Sequence, residues 1–541
     1  MISLHFGRLH PHRRLHIGLR RNLRSVLRRS AHLPALLAFL YLSSPACWCQ
    51  SRWVHLGSDG KLVYATTKRG DRIPDFSGAG YRGGGVALPV VRTLVTVSPS
   101  GGPDDTPAIQ SALDAVAKHE PDANGERGAV ELASGRFHLA GTLHMTSSGV
   151  VLRGVGRDET VLEMRGAPHL AIEMEGEFHQ YKLTDTSLTD GYVSAGATVI
   201  HLADASAIHK GDLLMLVKPV TKQWIHFMGM DRLSRDGQPE VWVNDDITVR
   251  RRVASVEGNA VTLQVPLTDS FDSRFFPQVQ PTVSRVEVTG QITGVGLENL
   301  RITAPNRSVN LNQEAEFDGI HIDNLLDSWV RSVALEGTTT SVRIEKGAER
   351  LTIVDVDVQQ DATVSSRAKP FDFSVNGSQI LLDRCSGKGD RVFYVATQSR
   401  SEGPVVILHC RFSGDGAIEP HQRWSTGLLV DECEVPDGSI NLMNRGEMGS
   451  GHGWTIGWSV LWNNSAGGIV VQNPPGDANW SIGDLGEQRG APMPTPGRRK
   501  GPVLPGGLVE SSGKHVEPAS LYLEQLRERL GDAAVAAIGY H

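Results

Sequence analysis

Arg400, Arg423 and Arg445 recur at intervals of 23 and 22 residues, each in a polar loop that follows a short strand-like run. Those runs end at Val395, Ile418, Leu442 and Val471. The loops after them carry Gln398 and Arg400, then Glu419, His421, Arg423 and Trp424, then Asn444, Arg445 and Glu447, then Gln472, with His452 and Trp454 shortly after the third. A planar guanidinium matches a carboxylate bidentately, which gives a row of arginines two uses. Paired with Glu402, Glu419 and Glu447 of the same loops, the row is a surface ion ladder of little worth to stability. Facing outward, it binds the carboxylates of an acidic polymer. His421 and His452 favour the second use, because imidazole exchanges protons near neutral pH.

Two bond-breaking chemistries compete for these residues. In β-elimination on a uronate, Arg423 and Arg445 neutralise the sugar carboxylate, His421 removes the carbon-bound proton so acidified, and His452 protonates the leaving oxygen. Hydrolysis instead needs two carboxyl groups flanking the scissile bond, and Glu419 with Glu447 is the pair the loops offer. Gln398, Arg400, Glu419, Trp424, Asn444, Trp454 and Gln472 are the expected substrate contacts. Trp424 and Trp454 would present ring faces to sugars, whereas Trp458 and Trp462 fall on a strand and are expected to pack. The glycine-rich run 446–453 would let backbone approach a ligand closely. The preferred reading is elimination on an acidic polysaccharide. Hydrolysis, and a non-catalytic saccharide-binding solenoid, are the alternatives.

Such loops need a scaffold that returns to the same place every twenty-odd residues. A repeat in the low twenties that mixes strand runs with turns is the mark of a β-solenoid. Equivalent positions of successive coils then lie one strand spacing apart, roughly 4.8 Å. A second column supports this register: Val330-x-x-Val333, Ile353-x-x-Val356, Leu382-x-x-Cys385, Ile407-x-x-Cys410 and Val430-x-x-Cys433. Cys385, Cys410 and Cys433 occupy the column of Val333 and Val356, and so read as small buried hydrophobes.

The 541 residues are 40% apolar and 21% charged, an ordinary globular balance. A net charge of -6 supplies no basic field for nucleic acid. No run after residue 50 is long and apolar enough to cross a bilayer. Residues 1–49 differ from the rest: Arg8, Arg13, Arg14, Arg20, Arg21, Arg24, Arg28 and Arg29 precede an apolar stretch at 33–42 and the small residues Ser43, Ser44 and Ala46. That order describes a secretory signal, which predicts a secreted or periplasmic protein. A glycine-rich lead-in spans 50–97. Beyond it, Thr106 as N-cap and Pro107 at the first helical position predict a helix whose face is Ile109, Leu113 and Val116. It would plug the open end of the solenoid, where unpaired strand edges are otherwise exposed.

The sequence Asp104-Asp105-Thr106-Pro107-Ala108-Ile109-Gln110 is followed by Gly128-Ala129-Val130-Glu131-Leu132, Ser134-Gly135-Arg136-Phe137 and Ser148-Gly149-Val150-Val151-Leu152-Arg153-Gly154-Val155-Gly156. In that order these segments resemble the opening of pectin-lyase-like proteins. The resemblance covers roughly 98–180 and 290–485, and implies an all-β, right-handed parallel β-helix, many of whose members cleave acidic polysaccharides outside the cell. Related lyases also use Arg or Lys as the base, which gives Arg423 that alternative role. Gly451-His452-Gly453 is similar to one polygalacturonase motif, but the accompanying aspartate motifs are missing and the later Arg-x-Lys is matched only by Arg498-Arg499-Lys500.

Residues 181–290 break the coil rhythm and read as an inserted small β-barrel, whose Trp224, His226, Met228 and Trp242 pack within it or overhang the groove. Coils resume over 291–486. A Pro/Gly linker and a helix at 519–530 with Leu523, Leu526 and Leu530 on one face complete residues 487–541. No cofactor is required. Calcium assists many lyases of this fold, and Asn244-Asp245-Asp246 with Asp355 and Asp357 are the oxygen donors at hand, although no metal is assigned.

Overall fold

Runs that bury alternate aliphatic side chains and turn polar ones outward pair here in parallel, each coil laid on the one before. Val330 lies opposite Ile353, Ile353 opposite Leu382, Leu382 opposite Ile407, Ile407 opposite Val430, and Val430 opposite Leu461. The computed structural model describes residues 49–541 except 236, 362, 492 and 494–500. The basic leader and Arg498-Arg499-Lys500 thus lie outside the described residues. Repetition of the pairing winds a 29-stranded sheet into a right-handed parallel β-helix, the fold that the opening motif implies.

The cysteine column holds. The N–H of Ser386 donates to Val356 O, that of Arg411 to Cys385 O, that of Glu434 to Cys410 O and that of Ser465 to Cys433 O. Cys385, Cys410 and Cys433 are free thiols buried in the bore. One corner of each coil is set by a residue in the left-handed region: Asp355, Arg384, His409, Glu432 and Asn463 have φ of 52, 51, 48, 50 and 53°. Each donates its N–H to the next coil, at Asp383, Leu408, Asp431, Trp462 and Ile482 respectively. Those stacked bonds offset the steric cost of a positive φ outside glycine.

A helix, Thr106–Ala117, buries Ile109, Leu113 and Val116 on the first coils, as its periodicity predicts. Its N-cap is Asp105 rather than Thr106, and without a side-chain cap bond. The Asp105 carboxylate is drawn away to the N–H groups of Ser100 and His138, while Asp104 accepts from Thr106 N.

The insertion is a six-stranded antiparallel sheet running from His179–Ser187 to Thr282–Thr289. A bridge between Leu188 and Leu202 brings its outer strands together at one end. It has its own apolar core, including Ile200, Leu214, Leu216, Val253 and Val283.

At the C-terminus, helices Leu521–Leu530 and Asp532–Ala537 dock on the outside of the coils. The buried face is Leu521, Tyr522 and Leu526, and the expected Leu530 is 47% exposed. The Asp431 carboxylate explains the rotation. It accepts from Ser520 Oγ and from the N–H groups of Leu521 and Tyr522, pinning the first turn against Trp458, Trp462, Leu408 and Leu429. Trp458 and Trp462 pack, as expected of a strand.

Candidate functional site

The predicted loops do form neighbouring steps of one ladder. Val395 lies opposite Ile418, Ile418 opposite Ile440, and Ile440 opposite Ile469. The rings of His421 and His452 meet edge to face at 4.7 Å, and Arg445 Nη1 donates to His421 O at 2.8 Å. Arg423 Nη2 donates to Ser450 Oγ at 3.0 Å, beside the same histidines.

The arginines, however, are already neutralised. Arg400 lies 3.0 Å from Asp245, Arg423 3.0 Å from Glu240, and Arg445 3.0 Å from Glu419. Adjacent guanidinium groups repel, and the chain supplies its own anions, two of them from the insertion arching over the loops. Glu447 accepts from Ser234 Oγ, also of the insertion. His421 is pushed down to about 2 by burial and then by Arg445 and His452. His452 is pushed down to about 3 by burial, Arg445 and Arg423. His421 Nδ1 lies 3.1 Å from Gln398 Oε1, an atom that only accepts, so the ring proton sits on Nδ1. Both rings are uncharged at neutral pH and accept a proton poorly there.

Trp424 and Trp454, expected to offer ring faces to sugars, are 1% and 2% exposed. They fill an apolar box with Trp224, Trp242, Met228 and Met230 of the insertion. Trp424 Nε1 donates to Asp269, Trp454 Nε1 to Met228 O, and Trp242 Nε1 to both His452 O and Trp454 O. Asn444 and Gln472 are buried too: Gln472 Oε1 accepts from Asn444 N, and Asn444 Oδ1 from Gly446 N. Glu419 is likewise buried, accepting from Asn441 as well as facing Arg445. The glycine-rich run serves the same lid. Gly453 has φ +57°, and a Cβ there would stand 2.5 Å from Trp242. These groups hold the insertion down rather than line a wall.

A different concavity is open. A cleft of about 780 Å³ runs between the insertion, at Phe178, Gln180 and Arg250, and the coils, at His321, Lys346, Glu349, Ser378 and Glu402. Glu349 lies opposite Ser378 in the ladder, and Ser378 Oγ donates to Gly403 O, which puts Glu349 and Glu402 on coils two strand spacings apart, about 9.5 Å between backbones. Glu349 Oε1 accepts from Gln379 Nε2 at 2.8 Å, and its Oε2 lies 3.8 Å from Arg250 Nε. Among the described residues the Glu402 carboxyl makes no hydrogen bond or ion pair. Burial pushes it up to about 7, Asp269 adds to the rise, and Arg251, Lys218 and Lys346 oppose it. A carboxylic acid part-protonated near neutral pH on a cleft wall can give a proton to a leaving oxygen. Lys346 is solvent-accessible in the cleft, yet the surrounding wall and then Arg400 push its ammonium down. Arg250 stands over the Phe178 ring at 5.1 Å.

The sequence offers Glu402 only as an ion partner of the arginines in the less favoured of two readings, and does not single out Arg250, Lys346 or Glu349. One signal was present. Glu402 heads the unbroken apolar run Val405-Val406-Ile407-Leu408, which reads as a strand buried on both faces, and a carboxyl at the start of such a run is a charge in need of a reason. The insertion's contribution has no counterpart in spacing.

Near the cleft, Glu173, Glu175 and His321 bring ligand atoms within 4.8 Å of one another, a donor set able to take a divalent cation. The calcium donors expected from sequence are engaged otherwise: Asp245 with Arg400, Asp246 with Val220 N, Asp355 with Arg384, and Asp357 with Ser386 and Arg157. No helix of the described residues is long and apolar enough to cross a membrane.

No protein-family model matches the chain, and no curated protein matches its sequence. Among solved structures it is similar to the tailspike protein gp49 of Pseudomonas phage LKA1, at 12% identity and a TM-score of 0.38, over 76% of this chain and 74% of that one. It is also similar to the Gp54 tailspike of Acinetobacter baumannii bacteriophage AP22 in complex with capsular saccharide, at 12% identity, 76% and 73% coverage and a TM-score of 0.27. A mutant tailspike of Escherichia coli bacteriophage HK620 in complex with pentasaccharide gives 9% identity, 73% of this chain, 55% of that chain and a TM-score of 0.40.

Proposed function

We propose that this chain is a carbohydrate-active enzyme that hydrolyses glycosidic bonds of an acidic polysaccharide held in the cleft between insertion and coils. The observation that carries the reading is Glu402, a carboxyl with no hydrogen bond or ion pair among the described residues, raised to about 7 and facing the cleft. Glu402 gives its proton to the leaving oxygen, and Glu349, oriented by Gln379 and Arg250, activates the water. Backbones two rungs apart leave room for that water between the carboxyl groups, which suits inversion at the anomeric carbon. Arg250 and Lys346 supply the positive charge for an anionic sugar. The basic and apolar leader supports export to where such polymers lie.

β-Elimination is the second reading, favoured by Lys346. Its depressed ammonium makes it a better base than an ordinary lysine, with Arg250 to neutralise a uronate.

Purified protein screened against acidic polysaccharides separates the two. Hydrolysis yields reducing ends alone, whereas elimination adds an ultraviolet-absorbing unsaturated uronide. Glu402→Gln is expected to lower turnover at least about hundredfold with the fold intact. Because the protonated acid is the active form, wild-type turnover falls as pH rises through about 7. Full activity in Glu402→Gln, or activity rising through that range, overturns the assignment.

A further inference from the structure

Arg251 lies on strand Ile247–Glu257 of the insertion, next to the cleft residue Arg250 but pointing the other way, into the seam with the coils. It is 2% exposed. Its hydrogen bonds all go to carbonyls: Nε to Pro266 O at 3.1 Å, Nη1 to Arg250 O at 2.9 Å and Nη2 to Gly403 O at 2.7 Å. Among the described residues no carboxylate lies within ion-pair distance of it, so its charge is solvated directly by peptide dipoles. A cation so buried is costly, and an apolar residue would fill a strand position more cheaply. What the cation gains is its neighbour. Gly403 adjoins Glu402, and Glu402 and Glu349 are the anions that act on Arg251.

We infer that Arg251 is a positioning residue, which grips the peptide beside Glu402 and stands behind that carboxyl as a fixed positive charge. The inference rests on the reading of Glu402 as proton donor. The charged groups around Glu402 come from both bodies. Asp269 and Lys218, themselves paired at 2.7 Å, approach from the insertion with Arg251, while Lys346 approaches from the coils, with Glu349 on the cleft wall beyond. Asp269 opposes ionisation of Glu402, and Arg251 counters it from the same side. The insertion therefore carries both signs of charge that set when Glu402 holds its proton.

The test reads the carboxyl itself. Glu402 is titrated in the full-length, substrate-free protein by isotope-edited infrared spectroscopy, with Glu402→Gln as the subtraction control. Arg251→Met is expected to move the midpoint up by about one unit or more, and Asp269→Asn to move it down. Arg251→Lys keeps the charge but not the fork. Its midpoint stays within about half a unit of wild type, while kcat falls roughly tenfold at unchanged KM. An Arg251→Met midpoint equal to wild type, or wild-type kcat in Arg251→Lys, overturns the inference; should Arg251→Met not fold, the lysine variant decides. If Glu402→Gln stays fully active while the midpoint shifts in Arg251→Met, the donor reading falls and the link between the two charges stands. An inactive Glu402→Gln with an unmoved midpoint counts against Arg251 alone.

Discussion

Arg445 and Glu419 stand 3.0 Å apart with side chains 6% and 8% exposed. A pair so removed from water holds little net stability, but removing one member strands the other. Arg445→Ala is therefore expected to destabilise by about 3–5 kcal/mol in denaturant unfolding, with Arg445→Met/Glu419→Leu recovering most of the loss. The repulsion of Arg445 also helps keep His421 uncharged, so the same variant should let that ring titrate at a higher pH. The residue types and their ladder were legible in sequence because loop spacing follows coil length. Their exposure was not. Trp424 and Trp454 sit beside polar residues along the chain, and nothing along the chain tells that a segment two hundred residues earlier folds over them.

The C-terminal helix Leu521–Leu530 hangs on carboxyl groups that prefer to be protonated. Asp431 is raised to about 7 and Asp383 to about 6, each chiefly by burial, and Asp383 accepts from the Tyr540 hydroxyl. His409, which reaches Tyr540 and Glu432, is also raised: burial lowers it, and Glu432, Asp431 and Asp383 together more than offset that. The folded state binds these protons more tightly than the unfolded chain, so their contribution is complete at low pH and is lost as pH rises through about 6 to 7. Amide exchange across residues 521–530, corrected for intrinsic rate, should show weaker protection at pH 8 than at pH 5, with a flatter dependence in Asp431→Asn. Protection that grows with pH would count against this. Elements came through the sequence reading well where a buried column repeats, as in the coils and the cap helix. The final helix was placed but rotated, since Leu523, Leu526 and Leu530 form a plausible stripe until Asp431 fixes the first turn.

Across the whole molecule, the cleft is built from segments far apart in sequence: Arg250 from the insertion, Glu349 and Glu402 from coils separated by an intervening one. A repeat can be read from one sequence because each coil resembles the next, whereas the place where a second body leans on the coils leaves no period behind. The coils are continuous from the cap helix to the docked C-terminal helices, and their interior is lined by buried apolar side chains. The three thiols stacked in that interior make a clock. A bulky aromatic disulfide cannot reach Cys385, Cys410 or Cys433 while the bore is closed, and burial further pushes the Cys410 thiol up, away from its reactive thiolate. The rate at which such a reagent modifies the native protein will thus time the opening of the bore, and should level off as reagent is added rather than climb with it.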